Sequence, residues 1–190
     1  MPHAFALARD VPLAPLTTLE LGGAARALAD ARSEADLLSA LVWARAEGWP
    51  VLVLGGGSNL VVGDGGFDGL VVRVGLEGRS VASDGDVWAA AGESWDGLVR
   101  ATVEAGLAGF ECLSGIPGTV GATPIQNVGA YGREVSELVT EVRVLDRATL
   151  AVSSLLPEEC GFGYRDSRFK REPDRHVVLS VRYRLDARGR

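Results

Sequence analysis

The chain has 190 residues, of which 47% are hydrophobic, 23% charged and 6% aromatic, enough to bury one or two ordinary cores and too apolar for a disordered segment. Nineteen Lys plus Arg against 25 Asp plus Glu leave a net charge of −6, the wrong sign for a protein that grips nucleic acid by bulk electrostatics. Lys170 is the only lysine and no phosphate-binding loop surrounds it, which argues against P-loop and lysine Schiff-base chemistry.

Ser33 is the N-cap of a helix over residues 34–47, with Asp36 in the capping-box position and Gly48 as the stop. Its apolar stripe is Leu37, Leu38, Leu41, Val42 and Ala44 or Arg45. Residues 51–54 form an unbroken apolar run between Pro50 and Gly55, read as a strand buried on both faces. Residues 60–62 and 70–74 continue as short strands around the turn Gly63-Asp64-Gly65-Gly66, which closes a first unit, residues 1–75.

The second unit, residues 76–190, opens with a hairpin over residues 79–91 whose turn is Asp84-Gly85. Ser94 caps a helix over residues 95–105, closed by Gly106. Strand character resumes at Val142, Val144 and residues 150–152, around a turn at Asp146-Arg147. It returns over residues 177–185, where Val177, Leu179, Val181, Tyr183 and Leu185 face one way and Val178, Ser180, Arg182 and Arg184 the other. Cys112, Cys160, His3 and His176 lie too far apart for a metal site or a disulfide framework. The first ten residues have neither a basic region nor a long apolar run, so no leader and no membrane span are expected, and the protein is placed in the cytoplasm. The polar tail, residues 184–190, reads as a cut or a runoff rather than a designed terminus.

Chemistry concentrates where the 25 glycines cluster. Gly55-Gly56-Gly57-Ser58-Asn59 follows a strand end, where successive backbone N–H groups can turn inward as a nest for pyrophosphate, with Ser58 and Asn59 at its rim; a tight turn is the alternative. A dinucleotide fingerprint starting at Gly55 would need its third glycine at position 60, which is Leu60, so a different nucleotide fold is required. Residues 115–132, from Gly115 through Pro117, Gly118 and Pro124 to Gly132, are too long and too apolar for an ordinary surface loop and read as a buried ligand-binding segment. Arg165 and Asp166, taken alone, read as an exposed ion pair or a turn.

Together, Thr18-Leu19-Glu20-Leu21-Gly22-Gly23, Leu54 to Leu60, Ile116-Pro117-Gly118, the run Pro124-Ile125-Gln126-Asn127-Val128-Gly129-Ala130-Tyr131-Gly132 and Gly163-Tyr164-Arg165-Asp166-Ser167 resemble the UDP-N-acetylenolpyruvoylglucosamine reductase family. The resemblance implies an α+β fold of the vanillyl-alcohol-oxidase (PCMH) type, in which two subdomains hold an extended FAD, with a C-terminal substrate domain that this chain lacks. By position, Gly55, Gly56, Gly57, Ser58, Asn59 and Leu60 would wrap the FAD pyrophosphate. Thr123, Ile125, Gln126, Asn127, Val128 and Gly129 would follow the flavin and its ribityl chain, and Val178 would approach the ring. Arg165 takes the catalytic arginine position, where a guanidinium would stabilise negative charge developing on a pyruvyl carboxylate.

The resemblance further implies hydride transfer from NADPH through FAD to a nucleotide-sugar enolpyruvate, in peptidoglycan precursor synthesis. The family's proton-donating serine and assisting glutamate come from segments beyond the Arg165 region, and neither Ser167 nor Ser180 sits in a matching motif. A missing C-terminal domain or a companion chain is therefore the expected partner. A non-catalytic flavin- or nucleotide-binding remnant is the alternative reading.

Overall fold

A computed structural model describes residues 5–187; His3 and the last residues of the polar tail lie outside them. The chain divides into two compact units, Met1–Leu76 and Glu77–Arg190.

The first unit begins with β1 (Leu7–Pro12) and β2 (Ala24–Ala31), neither of which the sequence reading anticipated. α1 (Glu34–Ala46) starts where expected, Ser33 Oγ accepting from Asp36 N–H and the Asp36 carboxylate accepting from Ser33 N–H. Its buried face is Leu37, Ala40, Leu41 and Ala44, while Leu38 and Val42 are exposed. The expected stripe is thus rotated toward the small residues, which let the helix approach the sheet closely. β3 (Val51–Leu54) and β4 (Phe67–Val74) complete a four-stranded sheet of order β1-β2-β4-β3, with β1 antiparallel to β2 and the other pairs parallel.

This order corrects two expectations. β3 is an edge strand with only Leu54 fully buried; β4 holds the central place, with residues 69–72 all buried. Residues 60–62 form no strand: Val62 enters the core, Leu60 packs against it from its margin and Val61 is 74% exposed. That core joins Leu13, Ala25, Leu28, Leu54, Val62 and Val71.

The second unit opens with the hairpin of β5 (Arg79–Val81) and β6 (Asp86–Ala90). Its loop is longer than the two residues expected, since Ala82 N–H still bonds to Asp86 O and Gly85 takes the positive φ. α2 (Trp95–Glu104) is capped by Ser94 as expected, Ser94 Oγ accepting from Gly97 N–H. Residues 115–132 are largely ordered into a 3-10 turn (Val120–Ala122), the short helix α3 (Thr123–Gln126) and β7 (Gly129–Ala130), which turns through Tyr131 and Gly132 into β8 (Arg133–Glu134). β9 (Val139–Asp146), β10 (Val152–Leu155), α4 (Pro157–Cys160), α5 (Arg168–Arg171) and β11 (His176–Arg184) follow.

The five-stranded sheet has the order β10-β9-β11-β6-β5 and is antiparallel throughout. The simple two-sided alternation expected along β11 breaks at a bulge: Val178 pairs with Val144 and Ser180 with Arg143, so Leu179 is the extra residue. Both faces are buried through Val181, and only Arg182 and Arg184 alternate outward. Trp95, Phe110 and Tyr183 centre the core, with ring centroids of Phe110 4.8 Å from Trp95 and 5.0 Å from Tyr183. Trp95 Nε1 donates to Leu113 O at 3.0 Å, so this deeply buried indole keeps its hydrogen bond.

Candidate functional site

In the first unit the residues after β3 make a turn whose tightness comes from close backbone approach. Gly57 is buried with φ +66°, and a Cβ there would lie 2.0 Å from Leu16 O. Gly57 O accepts from Thr18 N–H at 3.1 Å, tying the glycine run to the Thr18 motif. No acceptor among the described residues takes the amides of Gly55, Gly56, Gly57 or Asn59. Gly56 and Asn59 are exposed and Gly55 and Ser58 half-buried. A run of amides without internal acceptors is the donor set that suits an anion such as pyrophosphate. The first unit's part of the FAD assignment is therefore chemically compatible with the residues present, although Gly57 is also required by its own packing.

The second unit brings two distant motifs together. Asn127 ends α3 in the left-handed conformation, φ 42° and ψ 64°, and is fully buried. Its Nδ2 donates to Glu134 Oε2 at 2.7 Å and to Gly163 O at 2.9 Å, while its Oδ1 accepts from Ser136 N–H at 3.1 Å. Ser167 Oγ donates to Ile125 O at 2.8 Å and caps α5 by accepting from Lys170 N–H at 3.3 Å. Lys170 Nζ donates to Gln126 Oε1 at 3.4 Å and to Arg165 O at 2.8 Å. Arg165 reaches back, its Nη1 donating to Asn127 O at 3.4 Å and its Nη2 to Gly129 O. A Cβ on Gly129 would stand 2.5 Å from Arg133 O and 3.3 Å from Arg165 Nη1, so glycine leaves room both for the hairpin and for the guanidinium.

Arg165 and Asp166 make a turn, with Gly163 and Asp166 exchanging backbone hydrogen bonds at 3.0 Å, and not an ion pair. Asp166 pairs instead with Arg171. Arg165 is exposed, has φ 52°, and has no carboxylate partner among the described residues, only two neutral carbonyls. A guanidinium held by neutral acceptors keeps its full charge for an incoming anion, with its fork suited to a carboxylate.

Of the residues assigned to the flavin, Ile125, Gln126 and Val128 are half-buried, able to meet a ligand. Thr123 and Asn127 are buried, and their side chains serve the protein: Thr123 Oγ1 lies 2.8 Å from Val120 O and 3.1 Å from Tyr183 Oη. Val178 is 5% exposed, buried opposite Val144. Sequence reasoning missed Glu134, which fixes Asn127, and passed over Lys170 once Schiff-base chemistry had been set aside. Nothing in their own sequence neighbourhood announces either role. No group of three or more His, Cys, Asp or Glu among the described residues could hold a metal ion.

A family model described as FAD binding domain matches residues 25–150, and the chain belongs to that family. Over 178 residues, 93% of the chain, it is 54% identical to the UDP-N-acetylenolpyruvoylglucosamine reductase of Streptomyces avermitilis, covering 48% of that protein. It is 48% identical over 182 residues to the enzyme of the same name in Pseudomonas aeruginosa, covering 94% of the chain and 53% of the relative. The chain thus spans about half the length of the curated relatives it matches. The solved reductase of that name from Thermus caldophilus superposes with a TM-score of 0.79 at 34% identity, over 96% of this chain and 63% of that one. A cholesterol oxidase from Brevibacterium sterolicum shares the fold at 16% identity, with a TM-score of 0.68 over 98% of this chain and 38% of that one.

Proposed function

We propose that the chain is the FAD-binding part of a UDP-N-acetylenolpyruvoylglucosamine reductase, acting in the cytoplasm on a nucleotide-sugar enolpyruvate with NADPH as reductant. Gly55, Gly56, Gly57, Ser58, Asn59 and Leu60 would hold the pyrophosphate, chiefly through backbone amides. Thr123, Ile125, Gln126, Asn127, Val128, Gly129 and Val178 would form the flavin side, Thr123 and Asn127 by fixing the shape of the segment. Bound FAD would supply the hydride that reduces the enolpyruvyl double bond. Arg165 would hold the substrate carboxylate in place and stabilise the negative charge that builds there.

The observation that carries this reading is the placement of an unneutralised guanidinium on the carbonyls of Asn127 and Gly129, in the segment assigned to the flavin. The chain covers 48% of the Streptomyces relative, and the proton donor and the rest of the substrate pocket would come from a further domain or a companion chain.

The test is the visible absorption of the purified chain and identification of what it releases on denaturation. A yellow protein that yields FAD supports the reading. A colourless protein that also takes up no added FAD overturns the reading and makes the chain a remnant that binds no flavin.

A further inference from the structure

Five cations lie within residues 165–175, and three of them are neutralised locally. Arg168 stands 3.6 Å from Glu172, Arg171 pairs with Asp166, and Arg175 reaches Asp146 at 3.4 Å and Glu172 at 3.2 Å. Arg165 and Lys170 alone in that stretch have no carboxylate partner among the described residues, and they are joined: Lys170 Nζ donates to the main-chain oxygen of Arg165. The same ammonium touches Gln126 Oε1, so one side chain ties the Arg165 turn to the end of α3. Arg165 has a left-handed backbone, unfavourable for a residue with a Cβ, and such a conformation persists only where its surroundings hold it.

We propose that Lys170 is a positioning residue for Arg165 and the second positive charge of one carboxylate-binding site. The inference rests on the proposed role of Arg165 and goes beyond it. Two donors of the ammonium hold the turn, and the positive charge beside Arg165 strengthens the local field for an anion. An arginine at position 170 would keep the charge and much of the hydrogen bonding, whereas methionine keeps only the stem.

The experiment uses the chain loaded with FAD, titrated with 2-methoxyacrylate, the methyl enol ether of pyruvate, with flavin absorption as the binding signal. Lys170→Met is expected to weaken the probe about tenfold, the scale of one lost charge contact. Amide exchange at Gly163 and Asp166 should accelerate with FAD occupancy unchanged. Lys170→Arg should restore most of both. Probe affinity in Lys170→Met equal to that of the unaltered chain, or exchange that does not change, overturns the inference while a loss in Arg165→Met leaves the underlying reading standing. If Arg165→Met binds the probe normally, or the unaltered chain gives no saturable response, the reading of Arg165 fails and this inference with it.

Discussion

Asn127 Nδ2 lies 2.7 Å from Glu134 Oε2, a part-buried contact made by a fully buried side chain that also donates to Gly163 O. One amide therefore joins the end of α3, the β7–β8 hairpin and the turn that carries Arg165. Asparagine suits the place because it tolerates the left-handed backbone and supplies donors and an acceptor together.

Asn127→Ala should destabilise the chain by roughly 1–3 kcal/mol, since it removes the partner of a half-buried carboxylate oxygen and of a backbone carbonyl while keeping a Cβ in the left-handed region. Asn127→Gly should recover a fraction of that loss through its backbone alone. Denaturant unfolding decides the matter; equal midpoints for Asn127→Ala and the parent would mean that the Glu134 contact contributes nothing.

Gly57 separates packing from ligand binding in the first unit. Because its Cβ would press on Leu16 O at 2.0 Å, Gly57→Val is expected to unsettle the fold of that unit, and loss of FAD in such a variant would carry no information about the nest. Asn59 is exposed, so Asn59→Ala should leave the unfolding midpoint within about 0.5 kcal/mol of the parent and weaken FAD. Calorimetric titration with FAD is the measurement; unchanged affinity in Asn59→Ala would remove that side chain from the rim.

Both helix caps of the longer helices and the strand identities of β4, β9 and β11 were legible in the sequence, because capping residues and apolar periodicity are local signals. β2 was not: five of its eight residues are alanine, a good helix former and a poor strand former. It is a strand because β1 and β4 flank it, a relation of distant segments. Likewise the resemblance placed Arg165 at the site, but only the fold shows that Asn127, Ser167 and Lys170 bind its turn to the 125–129 segment. Hydrogen bonds between residues about forty positions apart leave no spacing for a pattern to detect.

Arg165→Ala should retain FAD, because the guanidinium donates to backbone carbonyls that remain fixed by Asn127 and by the β7–β8 pairing. Its loss should fall on the carboxylate instead. In an enzyme that also carries the part of the relatives this chain does not match, turnover should drop by a factor of about 100 to 1,000, typical for removal of one preorganised charge-stabilising donor. Stopped-flow kinetics separates the steps: flavin reduction by NADPH should persist and reoxidation by the enolpyruvate should slow. A slow first step with a normal second would reverse the assignment.

Tyr183 Oη faces Thr123 Oγ1 at 3.1 Å in a fully buried site, and burial raises the phenol's pKa well above its ordinary value of 10.0, the Thr123 hydrogen bond opposing that only in part. The unfolded chain releases this proton near pH 10 while the folded chain keeps it, so folding stability should fall as pH rises above about 10. Tyr183→Phe should cost about 1 kcal/mol at neutral pH and flatten that alkaline decline. Chemical denaturation at pH 8 and above about 10 tests it; an alkaline decline that persists undiminished in Tyr183→Phe places its source elsewhere.

Acid should act through a second pair. His176 has a side chain only 5% exposed, its Nδ1 has no hydrogen-bond partner among the described residues, and its ring meets Phe169 edge to face at 6.0 Å. Burial, then the charge of Arg168, lowers its pKa below 6.5, against the weaker pull of Asp146. The unfolded histidine therefore takes up a proton at a pH where the folded one still resists, so its contribution to stability is complete above about 6.5 and declines as pH falls below that value. Asp146, which accepts from Thr149 N–H and Ala148 N–H, has its pKa lowered from 3.8 to about 2, so its own contribution is complete above about 4 and lost as pH falls through 2. Thermal midpoints should thus fall in two stages on acidification. His176→Gln should remove the first stage and leave the second; a variant that retains the decline between pH 7 and 5 would assign it to another group.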